Sequence, residues 1–271
     1  MRGKKAKQLR VDRTAERAAA RRKQRQQTLF TVIVIAIIVG IGGVLVAVTI
    51  NEERQQAADT ASELPTDGSE APDERPVACG AERPAAADEE KGTFEKPEQV
   101  LEDGTNYGAV IRTSCGRLSV DLDEERARAT VNSFVFLAEQ GFFDGLEIFR
   151  NATSIGALQT GSGTNEASWD IGYTLKDELA AAKQDGYPPG TLAMANAGAD
   201  TGGSQFFFVY NDQFQLEPNY AVFGMTNDKG VKVLGEIGAI PVMAPDGDPS
   251  DPNAEKPSEV TYIESVKITT K

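Results

Sequence analysis

The stretch Gly190–Val209, GTLAMANAGADTGGSQFFFV, decides the fold of this chain. It contains two short runs rich in apolar side chains, Thr191–Asn196 and Gln205–Val209, with Gly, Ala, Asp and Thr residues between them. Short apolar runs bounded by turn-forming residues are typical of β-strands. The stretch therefore predicts two successive strands, joined by a loop with polar residues that a plain sheet does not need.

The same pattern of short strands continues on both sides of this stretch. Val110–Ser114 and Leu118–Leu122 flank the turn CGR (115–117) and predict a β-hairpin. Val260–Thr269 alternates between apolar and polar residues like a closing strand. Three further strands are predicted, at Glu147–Phe149, Ala157–Gln159 and Ala221–Met225.

Two isolated helices accompany the predicted strands. Within Ala127–Gln140, four apolar residues from Val131 to Ala138 have the spacing of an amphipathic helix, and Val231–Ile237 fits a second one. Many short strands with two isolated helices indicate a mainly β fold. They favour a closed or nearly closed barrel with helices over its ends, rather than a parallel α/β sheet. The Pro/Asp-rich insertion Pro241–Pro257 is interpreted as a solvated loop.

The composition excludes several kinds of chemistry. The chain has 271 residues, no His and two Cys, which excludes a Ser-His-Asp or Cys-His mechanism and a His-ligated zinc site. A net charge of −13 argues against nucleic acid as a partner. No residue spacing suggests a metal or a cofactor. What remains is chemistry done by positioning, hydrogen bonding and fixed charge.

Five segments carry polar and aromatic residues in a recognisable order. They are FDGLEIFR (143–150), GYTLKDE (172–178), GTLAMANAG (190–198), TGGSQFFF (201–208) and NYAVFG (219–224). Taken singly, their residues have structural interpretations: Arg150 as a surface ion-pair member and Asn196 as a turn former. Taken together, the segments resemble the cyclophilin family of peptidyl-prolyl cis/trans isomerases, and the resemblance covers Gly108–Ile268.

The resemblance implies a closed eight-stranded antiparallel barrel with two capping helices. It also implies a groove on the outer surface that binds Pro-containing polypeptide segments. Arg150 is similar to the family's catalytic arginine, and Gln159 and Asn196 to the residues that hold the substrate backbone. Tyr220 stands where many members carry a histidine. The other groove positions implied by the resemblance are Ala195, Gln205, Phe207 and Leu216.

The implied reaction suits a chain without histidine. Rotation about an Xaa-Pro bond needs no nucleophile, because its barrier of roughly 18 to 20 kcal/mol comes from amide resonance. The resemblance implies that Arg150 donates a hydrogen bond near the prolyl nitrogen and favours the twisted amide. One departure is IGAL (155–158), where the family usually has a bulky Phe-Met type pair. It leaves open a second interpretation, a catalytically weak proline-peptide-binding module or chaperone.

An apolar segment without charged side chains, Leu29–Ile50, predicts one transmembrane helix. A cleaved signal peptide is the alternative, but the run exceeds a usual signal h-region and no Ala-x-Ala pattern follows it. Basic residues before the segment and acidic ones after it place the N-terminus in the cytoplasm. We therefore expect contact with the lipid bilayer through residues 29–50. The folded domain would then be extracytoplasmic, on the outer face of the cell membrane, and act on exported proteins.

Composition divides the chain into four parts: a basic cytoplasmic arm (1–28), the transmembrane helix (29–50), an acidic Ala/Pro-rich linker (51–103) and a cyclophilin-like domain (104–271). The linker has too few apolar residues to bury a core and is predicted to be disordered. It contains Cys79, whereas Cys115 lies in the domain. A disulfide between them suits an oxidising compartment, with two free or separately paired thiols as the alternative. The sequence carries no signal for an oligomeric state.

Overall fold

The computed structural model describes residues 73–244, 247–251 and 253–271. The predicted basic arm and transmembrane helix lie outside the described residues, as does the predicted linker up to residue 72. No helix in the described part of the chain is long and apolar enough to cross a membrane. The described residues fall within one compact unit, Asp73–Lys271.

Ten strands are present in the described residues. They are β1 (Tyr107–Thr113), β2 (Gly116–Leu122), β3 (Arg150–Ala152), β4 (Ala157–Thr160), β5 (Thr191–Met194), β6 (Phe206–Val209), β7 (Val222–Thr226), β8 (Val242–Met243), β9 (Lys256–Pro257) and β10 (Ile263–Thr270). Eight of them form one antiparallel sheet in the order β10-β1-β2-β7-β5-β6-β4-β3, and β8 pairs with β9 separately. The predicted mainly β fold with eight antiparallel strands is confirmed.

Three α-helices accompany the sheet in the described residues, one more than predicted. They are α1 (Arg128–Glu139), α2 (Ala180–Asp185) and α3 (Asp228–Gly238). The first and third match the two predicted helices. The second was not predicted, because six residues are too few to display a helical period of apolar side chains. Helix α3 begins after Asn227, whose side chain accepts hydrogen bonds from the backbone N–H groups of Lys229 and Gly230.

Alternation of side chains along the strands separates two apolar clusters. In β6, Phe206 and Phe208 belong to the main core between the sheet and α1, whereas Phe207 and Val209 belong to a smaller outer cluster. The ring of Phe134 in α1 lies 5.6 Å from that of Phe206 and perpendicular to it. The inner cluster holds the domain together, and the outer cluster provides an apolar surface on the other face.

The sheet curls but does not close, so the predicted closed barrel is wrong. Strands β3 and β10 are its two ends. Between them the structure has a single antiparallel bridge from Glu147 to Tyr262, where sequence analysis predicted a strand over Glu147–Phe149. After this bridge the chain changes partner: the backbone N–H of Asn151, in β3, donates to the carbonyl oxygen of Glu255. On the opposite edge of the same segment, Val260 forms a parallel bridge with Val77, which lies outside the predicted domain.

The N-terminal segment Asp73–Asp103, predicted as part of a disordered linker, packs against the domain instead. A disulfide with an S–S distance of 2.05 Å joins Cys79 to Cys115 in the turn between β1 and β2. The ring of Phe94 lies 5.1 Å from that of Phe136 in α1. The segment has no core of its own and is held by a covalent bond and scattered contacts. Its composition therefore did not reveal its order.

Asn132, on the buried side of α1, fixes the end of the N-terminal segment. Its Oδ1 accepts hydrogen bonds from the backbone N–H groups of Val100 and Leu101, at 2.9 and 3.3 Å. The same oxygen accepts a hydrogen bond from the side chain of Gln99 at 2.9 Å. Its Nδ2 donates to the carbonyl oxygen of Glu98 at 2.8 Å. One buried amide thus binds four successive residues.

We expect Asn132→Ala to lower the free energy of unfolding by about 2 kcal/mol, because it leaves buried backbone groups without a partner. Urea denaturation of the parent and the variant measures the loss. The control is Asn106→Ala, an exposed asparagine that should change stability by less than about 0.5 kcal/mol. Equal losses for the two variants would contradict the role given to Asn132.

Candidate active site

A groove of about 530 Å³ on the outer face of the sheet gathers the groove residues that the sequence predicted. The predicted residues that line it are Arg150, Gln159, Ala195, Asn196, Gln205, Phe207, Leu216 and Tyr220. The two cysteines of the disulfide are not among the lining residues. The structure thus brings all eight groove residues together, and the role of each remains a prediction.

Strand pairing places the central residues of the groove in one row across four strands. Arg150 of β3 pairs with Gln159 of β4, and Gln159 pairs with Phe207 of β6. Phe207 in turn pairs with Ala193 of β5. Directly paired residues of antiparallel strands project from the same face of a sheet. The backbone register therefore sets a cation, an amide and an aromatic ring side by side.

A chain of hydrogen bonds runs along the polar side of the groove. Arg150 Nη1 donates to Gln159 Oε1 at 3.0 Å, and Gln159 Nε2 donates to Gln205 Oε1 at 2.9 Å. Gln205 Nε2 ends the chain by donating to the carbonyl oxygen of Ala167 at 3.0 Å. Each amide is oriented by the next, so the position of the guanidinium is linked to the loop that contains Ala167.

Arg150 also forms an ion pair, whose partner the sequence did not identify. Its Nε donates to Glu255 Oε2 at 2.6 Å and its Nη2 to Glu255 Oε1 at 3.0 Å. Glu255 lies in the insertion Pro241–Pro257, which was interpreted as a solvated loop. No local pattern could have indicated the contact, because 105 residues separate the partners and the insertion holds other acidic residues.

Aromatic rings form the floor of the groove. The ring of Phe214 stacks on that of Phe207 at 5.2 Å, and the ring of Tyr220 meets Phe207 edge-on at 5.4 Å. Leu216 is 41 % exposed at the rim, and Ile155 packs against the outer cluster. The floor is apolar and its hydrophobic rim is open to solvent, which suits an apolar ring of a bound ligand.

Asn196 follows β5 and lines the groove with one amide N–H engaged. Its Nδ2 donates to the carbonyl oxygen of Asn219 at 2.8 Å, and its Oδ1 accepts a hydrogen bond from Gly198 N at 3.3 Å. A side-chain amide has two N–H donors, so one remains for a ligand. Asn196 is therefore held in place by its own loop while keeping a polar group for the groove.

Two tyrosines adjoin the groove: the half-buried Tyr173 lines it, and the buried Tyr187 packs against Tyr220. Burial raises the pKa of Tyr173, whose hydroxyl lies 2.6 Å from Ser133 Oγ. Burial also raises the pKa of Tyr187, whose hydroxyl accepts a hydrogen bond from Tyr220 N at 3.0 Å. Because both shifts move ionisation further above neutrality, both side chains stay uncharged at pH 7.

We expect Tyr187→Phe to weaken binding of an Ala-Pro peptide by up to about fivefold, because it removes a hydrogen bond worth about 1 kcal/mol that holds Tyr220. Trp169 lines the groove and is the one tryptophan in the sequence, so its fluorescence can report peptide binding. The matched control is Tyr210→Phe, which removes a hydroxyl from a tyrosine outside the groove lining. Unchanged peptide affinity in Tyr187→Phe would contradict this role.

Among the residues that sequence reasoning missed are Trp169 and Phe214, which line the groove, and Glu255, which pairs with Arg150. Phe214 stands between two recognised segments, in QFQLEPNY (213–220), and this position was the one available signal for it. Trp169 lies in a long loop after β4 without a regular pattern.

Fold and groove together define the class of the protein, and comparison with known sequences agrees. Residues 109–268 match the family model described as cyclophilin type peptidyl-prolyl cis-trans isomerase/CLD. The chain belongs to this family. The resemblance given by the five segments is thereby confirmed.

Several relatives are similar to this chain. Probable peptidyl-prolyl cis-trans isomerase B of Mycobacterium leprae is 35% identical over 204 residues, which cover 68% of this chain and 65% of that protein. The Mycobacterium tuberculosis protein of the same name is 36% identical over 51% of this chain and 49% of its own length. The chain thus spans about half to two thirds of the length of these relatives.

A solved structure supports the fold assignment. It is a cyclophilin type peptidyl-prolyl cis-trans isomerase of Cryptosporidium parvum, determined in the presence of the dipeptide Ala-Pro. It matches with a TM-score of 0.52 and 25% identity, covering 60% of this chain and 99% of that one.

Proposed function

We propose that the chain is a peptidyl-prolyl cis/trans isomerase that acts on Xaa-Pro bonds of exported proteins. The observation that carries the proposal is the row of Arg150, Gln159 and Phe207 on one face of the sheet, directed at one groove. The names of the relatives and the family membership support it. The groove offers hydrogen-bond donors beside an apolar floor, and these two features match the two halves of an Xaa-Pro unit.

The apolar floor holds the proline ring. Phe207, Phe214 and Tyr220 provide an aromatic surface, and burial of the ring against it gains free energy from the hydrophobic effect. The residues before the proline lie against the polar side, where Gln159 and Asn196 bind the backbone. With one half of the substrate held on the floor, rotation about the amide moves the other half.

Arg150 stabilises the twisted amide. When the amide twists, conjugation is lost and the prolyl nitrogen becomes pyramidal with a lone pair that can accept a hydrogen bond. An N–H of Arg150 donates to that nitrogen in the twisted state, and the planar amide offers no comparable acceptor. An interaction made only in the transition state lowers the barrier.

The alternative is a module that holds proline-containing peptides with little turnover. Its basis was the IGAL stretch (155–158), which replaces bulkier residues. In the groove, Ile155 packs against the outer cluster, and Phe214 adds a ring to the floor. These contacts favour an intact proline pocket and therefore the enzyme.

The proposed location is the cell membrane, with the N-terminus in the cytoplasm and Asp73–Lys271 on the outer side. The apolar segment 29–50 with its flanking charges supports an anchor, and the disulfide supports an oxidising compartment. A protease-sensitive tag placed after Lys271 tests the location in sealed vesicles of known orientation. Digestion from the cytoplasmic side alone would contradict it.

The function is tested with the full chain in detergent micelles and a short Ala-Pro peptide. Exchange between the cis and trans peptide is measured by NMR, and binding by Trp169 fluorescence. The proposal predicts both binding and acceleration of exchange. Binding without acceleration would favour the peptide-holding module. The absence of both binding and acceleration would refute both functions for this substrate.

A further inference from the structure

The ion pair between Arg150 and Glu255 is built into the fold. The backbone N–H of Asn151, the residue after Arg150, donates to the carbonyl oxygen of Glu255 at 2.7 Å. Asn151 is fully buried, and its Nδ2 donates to the carbonyl oxygen of Gly238 at 3.1 Å. The insertion is thus anchored to β3 beside the groove arginine.

A small hairpin holds the insertion directly after Glu255. Strands β8 and β9 pair Met243 with Lys256 and Val242 with Pro257. Lys256 directly follows Glu255, so the carboxylate is presented from the start of a hairpin strand. Its backbone is fixed at its own carbonyl and at the residues that follow, unlike that of a residue at a free loop tip.

The contact geometry leaves the guanidinium with donors for the groove. A guanidinium has five N–H donors. Glu255 accepts two of them on the Nε side, and Gln159 accepts one from Nη1. The two remaining N–H groups belong to Nη1 and Nη2. The carboxylate binds Nε and Nη2 and so fixes the plane of the guanidinium. One N–H on Nη1 and one on Nη2 stay available for a ligand.

Stability alone does not account for this pair. The side chains of Arg150 and Glu255 are 40 % and 36 % exposed, and ion pairs at such exposure contribute little to folding. The carboxylate has two opposing effects on catalysis: it orients the guanidinium, and it weakens the positive potential there. Orientation dominates, because the acceptor on the substrate is an uncharged nitrogen lone pair, to which a hydrogen bond depends strongly on direction.

We infer that Glu255 is a positioning residue of the isomerase site, supplied by the insertion to hold Arg150 in the plane that the twisted amide needs. The inference rests on the proposed function. Glu255 does not touch the substrate in this arrangement and acts through Arg150. Its removal should affect the rate of the bound complex more than the binding of the peptide.

The test compares Glu255→Ala and Glu255→Gln with the parent in the full chain. We expect Glu255→Ala to reduce kcat/KM for the Ala-Pro peptide about five- to tenfold, almost all in kcat, with KM changed less than about twofold. Glu255→Gln should retain part of the rate, because its amide oxygen still accepts one N–H. The matched control is Glu259→Gln, a half-buried acid of the same region outside the groove lining, which should leave both constants unchanged.

A spectroscopic signal separates the inference from the function it rests on. The Nε–H of Arg150 should give a distinct, slowly exchanging signal in proton–nitrogen correlation spectra of the parent and of Glu259→Gln, and lose it in Glu255→Ala. An active parent with an equally active or faster Glu255→Ala would overturn the inference alone. An inactive parent that retains the Nε–H signal would overturn the proposed function, and the positioning role with it.

Discussion

Replacing Arg150 by alanine should lower kcat/KM for an Ala-Pro peptide about 100-fold, the scale of losing a preorganised donor to a transition state. The variant removes the group that donates to the prolyl nitrogen and also frees Gln159 and Glu255 from their contacts. Peptide affinity should change far less, because the aromatic floor remains. NMR exchange measurements at saturating peptide separate the two quantities.

Two further variants sharpen this prediction. Arg150→Lys keeps the charge but loses the planar fork, so it should recover little of the rate. Arg117→Ala removes an exposed arginine on β2, four strands along the sheet from β4 and outside the groove lining, and should leave the rate unchanged. If Arg150→Ala isomerised the peptide at the parental rate, the proposed mechanism would be wrong.

The second large effect concerns stability. Replacing both cysteines, as Cys79→Ser with Cys115→Ser, should lower the free energy of unfolding by about 3 to 4 kcal/mol, because the disulfide closes a long loop in the unfolded chain. The bonded residues are 36 positions apart. For a unit of this size the loss corresponds to a fall in Tm of about 10 °C.

Thermal unfolding with and without a thiol reductant checks this expectation. The reductant should lower the Tm of the parent to that of the double variant, and it should not affect the double variant. A parent that is insensitive to complete reduction would show that the bond adds no stability, and that noncovalent contacts such as those of Asn132 suffice to hold the segment.

The sequence predicted those parts of the fold that local patterns specify. Strands β1, β2, β5, β6 and β7 lie where short apolar runs predicted them, and α1 and α3 follow their apolar spacing. The run FFFV of β6 specified a strand, but four successive apolar residues do not specify which of them face the groove. That assignment came from the family resemblance, which placed Phe207 in the groove.

The features that the sequence could not predict depend on contacts between distant residues. The barrel stays open at the bridge between Glu147 and Tyr262, beyond which Asn151 of β3 bonds to Glu255, more than 100 positions later. Glu255 is one of several acids in its insertion, and its neighbours in the chain do not distinguish it. Its significance appears only when β3 and the insertion are brought together by Asn151.

Because the N-terminal segment is docked on the domain, the groove can reach less far from a membrane anchor. With a tether of 53 residues, from 51 to 103, a fully extended chain would reach about 180 Å from a membrane anchor ending at Ile50. Because residues from Asp73 onward are docked on the domain, 22 residues remain, and their greatest possible reach is about 75 Å. If residues 29–50 anchor the chain as proposed, the disulfide limits how far the groove can reach from the membrane. Clients would then be met close to the point where they leave the membrane.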